Sequence, residues 1–176
     1  MKKLLITLLL LISPITLQAI SINDIKGNSD YKQIDVTNDI TTYLDMAHTE
    51  KVGDTKDLAI IQTKLIAINY SDKEIYSIKV MYTYKKDRSK AEIEDFVKNM
   101  NAPEAKTIPE YFVSQLKLLD SGVTATKSEF TIYNFDGKYI DSQGPSDVRS
   151  LAVDVRSKDY TFASALYNYI FKKGLY

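Results

Sequence analysis

The sequence predicts an α+β domain: an antiparallel sheet of about six strands, packed by a C-terminal helix and one inserted helix. Three observations carry this. Tyrosine is abundant at 13 residues while tryptophan is absent; with many Ile, Val and Thr, the composition favours extended backbone, because β-branched and aromatic side chains fit a pleated, half-buried surface. Apolar residues recur at period two through most of the chain. Two stretches change to a helical period, Ala91 to Met100 and the closing run from Ser157 to Lys172.

The elements follow in order. Ile20 to Asp30 is polar, contains Gly27-Asn28-Ser29, and reads as a loose lead-in to the first strand. Tyr31 to Val36 alternates, Thr37-Asn38-Asp39 turns the chain, and Ile40 to Met46 completes a hairpin. A break follows at Lys51-Val52-Gly53-Asp54. Leu58 to Tyr70 is the longest strand candidate and carries apolar residues on both faces, which predicts a central strand. Ser71-Asp72-Lys73 turns the chain into a further strand, Glu74 to Tyr84.

In Ala91 to Met100, Ile93, Phe96, Val97 and Met100 fall at i, i+3, i+4 and i+7 with acids and a lysine between them, an amphipathic helix. Asn101-Ala102-Pro103 ends it. Tyr111 to Asp120 fits either period, and strand is favoured. Glu129 to Phe135, Asp136-Gly137 and Lys138 to Ser142 form the clearest local unit, because Asp-Gly supplies the positive φ angles of a tight hairpin turn. After Gly144-Pro145 come a short strand, Leu151 to Val155, and a helix capped by Ser157 or Asp159. Its stripe is Phe162, Ala163, Leu166 and Ile170, and Lys172 and Lys173 sit at the end where the helix dipole favours positive charge.

The N-terminus bounds the location. Met1-Lys2-Lys3, an apolar run from Leu4 to Ile12, and the Leu17-Gln18-Ala19 end read as a secretory signal peptide, since the run is too short to cross about 30 Å of hydrocarbon. Residues 1–19 are therefore expected as the leader and 20–176 as a single domain. The expected location is exported, either periplasmic or at the cell surface. With no Cys at the junction, a lipid anchor is not expected, nor is stable membrane insertion after cleavage. Two of the 23 basic residues leave with the leader, so 21 face 23 acids, a balance that gives no reason to expect nucleic acid. The chain has no cysteine, so stability is expected from packing rather than disulfides.

No catalytic, cofactor or metal site is expected. His48 is the only histidine, follows a strand end, and has no serine in a nucleophile-elbow context; it reads as an exposed turn residue. One imidazole without thiolates is a poor zinc site, and no acids have calcium-loop spacing. Ser114 and Lys117 match Ser-x-x-Lys but lack the companion motifs. Glu92, Glu94 and Asp95 occupy the solvated helix face opposite Ile93 and Phe96. Gly-rich phosphate loops and dinucleotide fingerprints are absent.

Lys79 to Lys90 combines two tyrosines with five basic residues. Tyr and Arg anchor protein interfaces, so Tyr82, Tyr84, Lys85, Lys86 and Arg88 are the expected partner-binding residues. The competing reading of the same stretch is a strand whose tyrosines cover the core and whose lysines guard an edge. A homodimer through an exposed sheet edge is compatible with either.

Several segments together carry a resemblance: Tyr31-Lys-Gln-Ile34, Thr42-Tyr-Leu-Asp45, a long strand ending in Asn69-Tyr70, Leu118-Leu-Asp-Ser121, Ile132-Tyr-Asn-Phe-Asp-Gly-Lys138, and Leu166-Tyr-Asn-Tyr-Ile-Phe-Lys172. In this order they resemble the bacterial surface-adhesin protein E family. The resemblance implies an antiparallel sheet packed by helices, without catalytic machinery, that binds host proteins such as extracellular-matrix components. It also places Ser121 and Phe171 where the family carries two cysteines, marks Ala91 to Pro109 as an insertion, and leaves this chain without the family's lipid-attachment cysteine. The functional expectation is thus an exported, non-enzymatic binding protein whose partner is a host matrix protein. The alternative is a periplasmic immunity or inhibitor protein that blocks a bacterial effector, a toxin or lytic enzyme.

Overall fold

A computed structural model describes residues 19–88, 118, 120–144 and 149–175. Strands β1 (Tyr31–Val36), β2 (Ile40–Asp54), β3 (Leu58–Asn69), β4 (Glu74–Lys85), β5 (Val123–Asn134), β6 (Tyr139–Gln143) and β7 (Ser150–Ala152) form one sheet. Every pairing is antiparallel and the order is β1-β2-β3-β4-β5-β6, with β7 also pairing to β5. Helix α1 (Ile22–Ile25) precedes the sheet and α2 (Lys158–Phe171) closes the chain. This is the expected α+β architecture with its C-terminal helix. Residues 1–18 of the leader and the helix expected over Ala91 to Met100 lie outside the described residues. So does most of Tyr111 to Asp120, but Leu118 is helical rather than extended, a correction at a stretch whose apolar spacing fitted both periods.

β3 is central, between β2 and β4, as its two apolar faces require. Its pairing with β4 runs without irregularity from Leu58 opposite Lys85 to Asn69 opposite Glu74. Asn69 builds the turn between them: its side-chain oxygen accepts from the backbone of Ser71 and Asp72, and Lys73 takes the left-handed conformation at φ +56°.

Alternation then sorts the side chains. On one face Leu44, Ala59, Ile61, Val80, Tyr82, Tyr84, Val123 and Ala125 meet Tyr160, Phe162, Ala163, Leu166 and Tyr167 of α2. On the other face Tyr43, Ile66, Ile68, Ile75 and Tyr133 receive Ile20 and Ile25. The segment from Ile20 is therefore no loose lead-in. The sequence reading missed that Ser21 and Asp24 form a capping box, in which Ser21 Oγ accepts from Asp24 N and the Asp24 carboxylate accepts from Ser21 N.

Two boundaries also differ. β2 does not stop near Met46 but continues to Asp54, with an excursion over Met46–Thr49. The hairpin at Asp136-Gly137 forms, but by a different turn: only Gly137 has positive φ, at +82°. Asn134 N donates to Lys138 O at 2.9 Å and Gly137 N to Asn134 O at 3.0 Å, the three-residue loop that ends in one left-handed residue. At the far end of the chain Ser157 caps α2, accepting from Tyr160 N, and Lys172 ends it in the left-handed conformation. The stripe widens beyond expectation to include Tyr160 and Tyr167, while Ile170 is half-buried.

Tyr82 and Tyr84, expected in a partner-binding patch, are fully buried against α2. Both lie on the inner face of β4, with Tyr84 5.0 Å from the Tyr167 ring. β4 is not an edge strand either, since β3 and β5 pair with its two sides. The two hydroxyls differ: Tyr84 donates to the carbonyl of Ala163 at 2.9 Å, whereas Tyr82 has no hydrogen-bond partner among the described residues. Burial raises the pKa of both phenols well above the ordinary value. An unsatisfied buried hydroxyl is a cost, and a satisfied one contributes about 1 kcal/mol. Urea titration of Tyr84→Phe should therefore show a loss of about 1 kcal/mol, while Tyr82→Phe should be neutral or stabilising; equal losses would contradict this assignment.

Candidate functional site

The basic half of the expected patch stays together at the β4 exit, but it is internally neutralised. Lys85 Nζ lies 2.8 Å from Asp120 Oδ2, and Arg88 Nε lies 4.0 Å from the same oxygen. Lys86 bonds to Asp54, which also takes Lys51 at 2.6 Å, and to the carbonyl of Thr55. Gly122, at φ +73°, holds the arrangement closed: a Cβ there would sit 2.3 Å from Arg88 Cβ, so the stem of Arg88 rests on bare backbone. The five expected residues are thus split, with Tyr82 and Tyr84 inside and Lys85, Lys86 and Arg88 tied to acids of the same chain. Period two separates Lys85 from the tyrosines, because neighbouring residues on a strand face opposite ways. The end of β4 separates the other two, because Lys86–Arg88 leave the strand in a single 3-10 turn.

The Asp54 carboxyl is held down to about 2, first by the hydrogen bond from Lys51 and then by that from Lys86. A depressed pKa contributes above the ordinary carboxyl value and is lost as pH falls through the depressed one. Carboxyl-carbon NMR should therefore find Asp54 titrating near pH 2, and Lys51→Met should move that midpoint upward; no movement would contradict the ion pair.

A different constellation lies on the excursion of β2. Asp45 pairs with Lys64 and Glu50 with Gln62, so Met46–Thr49 stand opposite Thr63 alone. Such a bulge re-aims side chains. Asp45 is 1% exposed and organises it. Its Oδ1 accepts from His48 N at 3.1 Å, its Oδ2 lies 2.7 Å from His48 Nδ1, and its carbonyl accepts from Thr49 Oγ1 at 2.7 Å. Met46 N donates to Asp30 O, which ties the bulge to the start of β1. His48 is exposed, as expected, but it is no free turn residue: a buried carboxylate fixes one ring nitrogen and leaves the other for solvent or a ligand. Two grooves flank it, one of about 310 Å³ that includes Thr49, Lys64 and Lys79 and one of about 300 Å³ that includes Asp24, Asp30 and Tyr31. Sequence reasoning missed Asp45 because an alternating strand puts residues 45 and 48 on opposite faces; only the inserted residues bring them together.

The arrangement is no assembled triad. The hydroxyls of Thr49 and Thr63, beside His48 in one groove, bond to each other at 2.7 Å, with Thr49 also on the Asp45 carbonyl. Among the described residues no group of three or more His, Cys, Asp or Glu could hold a metal ion, and no described helix is long and apolar enough to cross a membrane. Comparisons with family models, with curated proteins and with solved structures return no match.

Removing the buried carboxylate leaves an unsatisfied N–H and unties the bulge. Asp45→Ala should cost about 2 kcal/mol in urea unfolding and His48→Ala under about 1 kcal/mol, since the imidazole is the exposed partner. The reverse order would contradict Asp45 as the organiser.

Proposed function

We propose that this chain is an exported, non-enzymatic binding protein, similar to surface-adhesin protein E, that takes an extended segment of a protein partner at its β6 edge. The contrast between the two edges of the sheet carries this reading. β1 is guarded: Lys32 is exposed and Asp35 is tied to Lys158 of α2 at 2.6 Å, while a one-residue register shift is common to β1 and β6. In β6 every residue is exposed, with Tyr139 at 44% and Ile140 at 48%, and Leu151 of β7 reaches 65% along the same side of β5. Such an edge presents unpaired backbone N–H and C=O groups to an added strand, and the apolar side chains beside it supply selectivity.

Asp141 at the centre of β6 favours a foreign segment over a second copy. Two antiparallel β6 strands paired about that residue would set Asp141 opposite Asp141, a destabilising like-charge pair. The non-enzymatic half of the reading rests on the sequence, in which the one histidine, His48, has no serine in a nucleophile-elbow context. Export rests on the leader at residues 1–19.

The test is capture of immobilised matrix proteins, and of an envelope extract, by the protein and its Ile140→Lys and Leu151→Lys variants. Capture of a matrix protein should weaken about tenfold or more in each variant, a change of about 1.4 kcal/mol. Capture of one bacterial toxin or lytic enzyme instead would replace the adhesin reading with the immunity or inhibitor one. Binding that ignores both variants would overturn the edge.

A further inference from the structure

The boundary between leader and domain coincides with a sharp change in burial. Ala19 is exposed, but Ile20 is 7% exposed and packs among Ile25, Tyr43, Ile66, Ile68, Ile75 and Tyr133. The backbone that follows is held from two sides. Ser21 N and Ser21 Oγ donate to Asp24 Oδ2 at 2.9 and 2.7 Å, and Ile22 N donates to Phe135 O at 3.0 Å. Gly137 lies so close that a Cβ there would come within 3.2 Å of Ser21 N. The nitrogen of Ile20 therefore has a fixed place, in the groove of about 300 Å³ that Ala19 and Ile20 themselves help to line.

The charged and titratable side chains of that groove are Asp24, Asp30, Tyr31, His48 and Lys64. Asp24 uses Oδ2 for both of its bonds to Ser21, so its Oδ1 accepts no hydrogen bond among the described residues, and neither does the Asp30 carboxylate. No ion pair joins His48 or Lys64 to either acid. Acceptors therefore stand open in the groove that Ile20 helps to line. Tyr31 senses the same acids: burial raises its pKa, and the charges of Asp45, Asp24 and Asp30 raise it further.

We propose that hydrolysis of the Ala19–Ile20 bond makes the Ile20 α-ammonium a structural cation of this groove, paired with Asp24 and Asp30, so that leader removal completes the fold. The inference rests on the export reading. In the step itself, water adds across the amide. The acyl carbon takes the hydroxyl and departs as the Ala19 carboxylate of the leader, and the nitrogen takes the proton and, near neutral pH, gains a second from solvent. An amide N–H offers one donor to this site and an ammonium offers three, along with a charge that the two carboxylates favour.

Intact mass of the protein recovered after export should give a chain beginning at Ile20. Asp24 and Asp30 are exposed, so an NMR titration of its α-amine should find a midpoint above the ordinary value of about 7.7 to 8.0 by less than about one unit, because opposite charge favours the protonated form and solvent screens it. Asp30→Asn should bring it back toward that range. The stabilisation from a raised amine pKa is complete below the unfolded value and lost as pH rises through the folded one. A chain extended by Ala19, which moves the charge by about 3.8 Å, should therefore differ most in melting temperature at neutral pH and least at pH 10 or above. An unshifted midpoint, or one indifferent to Asp30→Asn, would overturn the pairing. A different N-terminus would overturn it while leaving export intact, and a retained leader would overturn both.

Discussion

The rest of the molecule is referred to the uninterrupted ladder between β3 and β4. Twelve consecutive residue pairs run from Leu58 opposite Lys85 to Asn69 opposite Glu74 without a shift, whereas the ladders of β2 with β3, of β4 with β5 and of β5 with β6 each contain an irregularity. Because the side-chain period on a strand is two, a slip of one residue here would turn over the faces of one strand relative to the other. Were β4 to slip against β3, Tyr82 would leave α2 and Ile75 would leave Ile20 and Ile25. Both faces are apolar in this part of the sheet, so each one penalises the slip.

That rigidity pushes adjustment outward. β2 has fifteen residues and β3 has twelve, and the surplus collects where Met46–Thr49 leave the ladder. A bulge of this size exposes backbone groups that need partners: the Asp45 carboxylate takes His48 N, the Asp30 carbonyl takes Met46 N, and Thr49 Oγ1 donates to the Asp45 carbonyl. A buried acid is costly unless it is hydrogen-bonded, and here two nitrogens of His48 surround it. The bulge therefore explains why an ionisable residue sits in a sheet interior, and it links the middle of β2 to the segment that begins at Ile20.

Legibility in the sequence followed the range of the interaction. The hairpin at Gly137, the Ser157 cap and the centrality of β3 are written in adjacent residues, and they were readable. The α+β arrangement followed from where the period changed. What was not readable depends on parity or on pairing across the sheet. Tyr82 and Tyr84 share a face, but only the position of α2 decides that this face is the inner one. Asp45 and His48 come together only after a register shift set by β3. The roles of Ser21 and Asp24 were local and readable, and they were overlooked because the glycine and asparagine at Gly27-Asn28 drew the segment toward a loop.

The proposal of a binding surface at β6 rather than β4 follows from the same geometry. Along β4, Lys79, Met81, Thr83 and Lys85 face one way and Val80, Tyr82 and Tyr84 the other, and Lys86–Arg88 leave the strand in a 3-10 turn, so the buried tyrosines and the basic residues of this stretch form no single patch. The ladders to β3 and β5 engage the backbone groups of β4 on both sides, which removes it as a template for an added strand. Among the described residues, backbone outside the ladders remains at the outer edges, and of these β1 is crossed by the Asp35 to Lys158 ion pair. Both edge strands contain a register shift, at Ile34 in β1 and at Ile140 in β6, but the β6 and β7 edge carries exposed Tyr139, Ile140 and Leu151 where a guarded edge would carry lysine or proline. An exposed edge of this kind is a template for pairing with another chain, and the proposed partner segment would satisfy the backbone groups that β6 leaves outside the sheet.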